Sequence, residues 1–197
     1  MDRGMEKNRV ERTSKRVLRT SFGTFANFPS TIHGIAKAKF NDHPAKVQQT
    51  IVEAFHKLND SSETYLISPS SRVGTYQGRV GFEIGIAQGT DFYNLTNEVT
   101  KNLCRAITSK KPYSRLDFII IVTYHYKING KENHLHFDYH QLRFSFNNDT
   151  LEIRLFHSKG TRRMSLNELI RRILTCINEE MKHQSLSSLT IKELKVL

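Results

Sequence analysis

Apolar residues recur along the chain at two spacings, every second position and every three to four. Each switch between the two marks a predicted element. Residues 17–28 read as extended and stop at Pro29, and residues 31–40 (TIHGIAKAKF) alternate as a second strand. Asp42-His43-Pro44 opens a helix with proline near its first position, and Val47, Ile51, Phe55 and Leu58 line one face of it. Asn59-Asp60-Ser61-Ser62 ends that helix, and a short strand follows over 63–67. In residues 79–87 (RVGFEIGIA), Val80, Phe82, Ile84 and Ile86 share one face, while Gly81, Gly85 and Ala87 leave the other flat. Leu95, Val99, Leu103 and Ile107 predict a helix over 92–107.

Residues 116–128 begin apolar on both faces, as a central, doubly covered strand does. Asn129-Gly130 then predicts a tight hairpin, because both residues tolerate positive φ. The return strand covers 133–146, Asn147-Asn148-Asp149 turns, and 151–157 forms another strand. Ser165 and Glu168 fit a capping box for a last helix, with Leu166, Leu169, Ile170, Ile173, Leu174, Ile177 and Met181 inward and Arg171 and Arg172 toward the edge. Beyond His183 the pattern predicts a loop with a weak terminal turn. Gly-Ile-Ala occurs at 34–36 and again at 85–87, each ahead of a helix, a weak hint of a repeated unit. Together these elements predict an α+β fold: an antiparallel-rich sheet of about six or seven strands, with three helices packed mainly on one face. The expected organisation is a flexible basic arm over 1–16, a single domain over 17–183 and a C-terminal tail over 184–197.

With 38% hydrophobic residues and 12 Phe in 197 positions, the chain can bury the core this pattern asks for. No apolar run approaches the roughly 20 residues that span a bilayer, and the N-terminus is too charged for a secretory signal. An intracellular protein is the expectation, with Cys104 and Cys176 as buried free thiols. The net charge of +11 is unevenly spread. Residues 1–20 carry +4, residues 21–100 carry −1 and residues 101–197 carry +8. A one-sided field of this kind attracts phosphates or anionic lipids.

That asymmetry directs attention to two basic segments. Lys159, Arg162 and Arg163 lie on a Gly160-containing loop just before the last helix, where unpaired N–H groups and the positive dipole end favour a phosphate. A solvated loop already capped by Ser165 is the plain alternative. Lys110, Lys111 and Arg115 would extend that surface if the fold brings them near. The arm contributes Arg12, Lys15, Arg16 and Arg19, with Arg9 before them and Glu6 and Glu11 interspersed.

Sharper chemistry sits in His134-Leu135-His136-Phe137-Asp138-Tyr139-His140. Strict alternation would put His134, His136, Asp138 and His140 on one face, with His125 opposite His134 and Thr123 opposite His136. His125, His134, His136 and Asp138 are then a donor set suited to Zn²⁺, though neighbouring same-face strand positions converge poorly on an ion. The string differs by one residue from the HxHxDH motif of metallo-β-lactamase-like hydrolases, lies within a strand and lacks the downstream ligands, so that match is rejected. A histidine cluster could also charge at mildly acidic pH and strengthen polyanion binding. The same alternation places Tyr124, Tyr126, Phe137 and Tyr139 on the other face, as core under a helix or as a surface for stacking bases.

Catalytic signals are thin. There is no P-loop, nucleophile elbow or dinucleotide fingerprint, and Asp117 with Glu152 and Arg154 is the nearest approach to a nuclease-like set. The favoured reading is a non-enzymatic nucleic-acid-binding protein without cofactor or metal, RNA ahead of DNA, working through phosphate contacts. A structural protein bridging an anionic membrane and a ribonucleoprotein, of viral matrix type, is the second reading. A metal-dependent hydrolase built on the histidines is the third.

Overall fold

Asn129 and Gly130 take φ of 50° and 78°, as a tight hairpin requires. They join β5 (Arg115–Ile128) to β6 (Lys131–Asn147), the two longest strands of the sheet. The computed structural model describes residues 22–68, 74–109 and 112–197. Around the hairpin lie β1 (Gly34–Lys39), β2 (Ser62–Ile67), β3 (Tyr76–Gln88), β4 (Asp91–Asn94), β7 (Thr150–Lys159) and β8 (Thr190–Val196). The helices are α1 (Pro44–Leu58), α2 (Asn97–Ser109) and α3 (Leu166–His183). The sheet runs β2-β3-β5-β6-β7-β1-β8, with β4 also paired to β3. Every pairing is antiparallel, and the sheet curls into a half-barrel with three helices on one face. The α+β class predicted from the pattern is the one observed.

Local chemistry explains the helix boundaries. Pro44 starts α1, and the His43 side chain accepts the Ala45 N–H at its N-terminus. This helix packs against both α2 and α3, so burial extends beyond the predicted stripe to Gln48 and Thr50. The Gln48 amide pairs with both backbone groups of Tyr113, satisfying a buried polar side chain. Ser165 caps α3 by accepting the Glu168 N–H, and all seven predicted inward residues of α3 are buried. Phe55, Phe118 and Phe144 meet edge to face at 4.7–5.6 Å between sheet and α1. Among the described residues no helix is long and apolar enough to cross a membrane.

Three elements differ from expectation. Of the 17–28 stretch predicted as extended, the described residues 22–28 form turns, with Gly23 at φ 89° and only isolated bridges from Phe22 to Gln88 and Phe25 to Gly89. The helix predicted from residue 92 begins at Asn97, because Gly89 takes φ 67° and turns Asp91–Asn94 back onto β3. The Phe92 ring then lies 4.6 Å from Phe25, and β4 separates the second Gly-Ile-Ala from its helix. The tail expected as a loop contains β8, which pairs with β1. A bulge shifts its register between Lys37 and Ala38, so Ile191, Leu194 and Val196 share a side without strict alternation.

Candidate functional site

The hairpin keeps its predicted register from Ile128 opposite Lys131 to His125 opposite His134. It then slips. Tyr124 faces Leu135 but Val122 faces Asp138, so His136 and Phe137 together oppose Thr123. The extra residue reverses which face the rest of β6 presents. The expected single file of His134, His136, Asp138 and His140 is therefore wrong. His134 and His136 are exposed on the outer face, whereas Asp138 and His140 are fully buried on the helix-covered face with Tyr124. The aromatic set divides too: Tyr124 and Tyr126 point inward, and Phe137 and Tyr139 point outward.

Asp138 organises the basic loop from below. Its Oδ1 accepts the Arg162 N–H at 2.9 Å, and its Oδ2 accepts the Arg163 N–H at 2.9 Å and the Tyr124 hydroxyl at 2.7 Å. The Thr161 N–H reaches the same carboxylate, and the Tyr124 oxygen in turn accepts the Met164 N–H. Gly160 and Arg162 take positive φ, which curls these amides around the carboxylate as a nest. A Cβ at Gly160 would stand 2.1 Å from Asp138 Oδ1 and 2.6 Å from Phe137 O, so only glycine fits there. Burial pushes the Asp138 carboxyl up, but the hydrogen bonds from Tyr124, Arg163, Arg162 and Thr161 outweigh it and hold it below its ordinary value. The loop's backbone donors are thus taken by the protein's own anion, and an external phosphate is left the side chains.

Lys159 and Arg162 are exposed, and Lys159 Nζ stands 6.0 Å above the Tyr139 ring. Arg163 is half-buried, and its guanidinium donates to Ser68 O at 2.9 Å, tying the loop to the end of β2. Neither Lys159 nor Arg162 has a carboxylate at ion-pair distance among the described residues. Several other cations of the outer face are matched: Lys37 and Lys195 with Glu193, Lys39 with Asp149, and Arg154 with Glu152. Arg115 starts β5 eight positions before Thr123, about 25 Å away at strand rise, so it does not extend this surface. Arg12, Lys15, Arg16, Arg19, Lys110 and Lys111 lie outside the described residues, as do the 1–16 arm and the first part of the 17–28 stretch.

A histidine group lies beside Asp138 that the sequence reading did not assemble. His140 and His157 face each other across β6 and β7 with ring centres 5.0 Å apart, and His157 Nε2 lies 3.7 Å from Asp138 Oδ1. His33 Nδ1 accepts the His157 N–H at 3.0 Å. Burial, then the neighbouring His157, lowers His140 to about 4. Burial and the adjacent Arg162 lower His157 and His33 as well. These imidazoles are neutral at neutral pH. On the outer face, His125 and His134 stack edge to face at 4.5 Å, and Glu132 bonds Arg79 at 3.2 Å. Among the described residues, no three His, Cys, Asp or Glu side chains are grouped to hold a metal ion.

The nuclease-like set is occupied structurally. Arg143 grips both oxygens of buried Asp117 at 2.7 and 2.8 Å, Phe25 N–H donates to Asp117 Oδ2, and Arg154 pairs with Glu152. Burial raises both Cys104 and Cys176 to about 11, so neither is a thiolate at neutral pH. A groove of about 560 Å³ beside α3 is lined by both signs of charge, with Arg172 held by Glu63 and Glu168. No protein family, curated protein or solved structure matches the chain.

Proposed function

We propose that this protein binds nucleic acid without catalysing its turnover, RNA ahead of DNA, through phosphate contacts from the 159–163 loop. The carrying observation is charge left over. Lys159 and Arg162 project where buried Asp138 fixes the loop in shape, and among the described residues they lack the carboxylate partners that Lys37, Lys39 and Arg154 find. A cation already held near a fixed position loses little entropy when a phosphate arrives. Arg163 supports the loop, and Arg12, Lys15, Arg16 and Arg19 supply further phosphate contacts from the arm.

RNA ranks first because, among the described residues, no helix offers a uniformly basic face for a DNA major groove. The outer side of α2 mixes Glu98 with Lys101 and Arg105, and that of α3 mixes Glu168 and Glu179 with Arg171 and Lys182. The setting is intracellular, where the two unpaired thiols stay reduced.

The test is fluorescence anisotropy with labelled RNA and DNA across a salt series. Lys159→Glu with Arg162→Glu lowers affinity more than tenfold and the salt slope by about two, while Lys46→Glu with Lys101→Glu leaves both unchanged. Lys57 is no control, since it pairs with Glu180. Affinity that holds constant with rising salt refutes the reading.

A further inference from the structure

We infer that the ligand of this surface is single-stranded RNA whose bases stack on the outer face of β6 and β7. The inference rests on the nucleic-acid reading and names the strand state. The three helices cover the opposite face, and the outer face of an antiparallel sheet is ordinarily polar. Here it carries apolar side chains around Gln141. Ile121 stands opposite Tyr139, and Tyr139 stands opposite Lys159, so a row crosses three strands from aliphatic to ring to cation. One step along, Phe156 also faces outward, and the His33 ring stacks on it at 4.9 Å and 17°.

The bulge places Phe137 at the rim of this patch, 42% exposed, next to Gly160 and the unmatched cations. Its ring leaves a large apolar face open to solvent beside the basic loop. Charge and shape specify one occupant. Lys159 and Arg162 ask for a polyanion, and the Tyr139 and Phe137 rings near Lys159 ask for a flat, unpaired partner. A duplex presents phosphates but keeps its base faces stacked inside, whereas a single strand offers both. A lipid surface would match the cations but would leave the row beneath them without a counterpart of its own geometry.

The test compares a single-stranded RNA with the same sequence annealed to its complement, using the full chain. Single strands bind at least tenfold tighter. Phe137→Ala weakens that binding roughly tenfold without changing its salt slope, in contrast to the lysine and arginine reversals. Phe137→Trp supplies the chain's one indole, and its fluorescence is quenched by single strands and not by duplex. Equal affinity for both forms, or single-strand binding that leaves the indole unquenched, overturns the inference and leaves the phosphate-binding reading standing. Binding to neither form, with capture by phosphatidylserine vesicles instead, overturns both.

Discussion

His140 is a fully buried imidazole, and neither of its ring nitrogens meets a hydrogen-bonding group among the described residues. Protonating it in place would set a charge against His157 in a low-dielectric interior, which is why its value falls from 6.5 to about 4. The unfolded chain binds that proton more readily than the folded one. The contribution of neutral His140 is therefore complete above pH 6.5 and is lost as pH falls toward 4, to the extent of roughly 3 kcal/mol. Asp138, held below its ordinary value, adds to the loss at still lower pH. Urea denaturation of wild type and His140→Leu at a series of pH values between 4 and 8 checks this: the variant loses much less stability over that interval. Parallel curves for the two proteins would show that His140 takes up its proton equally readily in the folded and unfolded chain. At this scale the sequence shows which residues are present but not whom they meet. Lys159, Arg162 and Arg163 stand out as a cluster in the sequence. The carboxylate that holds the loop backbone lies more than twenty positions earlier, on a strand whose facing depends on one extra residue.

Elements differ in how much of their cause is local. The boundaries of α1 and α3 are legible because Pro44, Ser165 and the apolar stripe all act within a few positions. The β5–β6 turn is legible for the same reason. β4 is not, because Leu95, Val99, Leu103 and Ile107 continue a helical spacing back over a segment that Gly89 folds onto β3 instead. β8 is hidden by its bulge, which spaces the apolar residues by three and then two, and by the charged Lys192, Glu193 and Lys195 between them. That strand closes the edge of the half-barrel. Its removal exposes the full ladder of β1, a six-residue strand whose side chains alternate buried and outward. Truncation after Leu189 lowers Tm by more than about 5 °C and produces concentration-dependent aggregates in size-exclusion chromatography. An unchanged elution profile and Tm would mean that β8 only rests on β1.

For the whole molecule, charge and architecture follow separate rules. The fold class was readable because strand and helix periods alternate in blocks along the chain, and the half-barrel satisfies both by burying one face of each. The net charge of +11 was readable too, but not its distribution among pairs: Lys37 meets Glu193 only because β8 lies beside β1, and Lys39 meets Asp149 only because the β6–β7 turn lies at the end of β1. Excess like charge pushes the folded body apart, while the surface pairs hold little. Salt therefore acts oppositely on stability and on binding. Between about 50 mM and 500 mM NaCl, Tm rises by a few degrees as self-repulsion is screened, while RNA affinity falls. A Tm that drops over the same range in differential scanning calorimetry would instead make the ion pairs the stronger contribution.

The extra residue in β6 has a consequence for how such a strand can change. A strand is a two-phase tape, and each insertion or deletion exchanges inside for outside along everything that follows. In β6 the shift divides the strand into a rim-proximal segment, whose exposed histidines and Phe137 take no part in the core, and a segment in which Asp138, His140, Leu142 and Phe144 all belong to the interior. Losing one residue between the two would drive Asp138 into solvent and draw Tyr139 and Gln141 into the core. Point substitutions can therefore remodel the outward surface one side chain at a time, while a length change of one codon at this position rewrites both faces together.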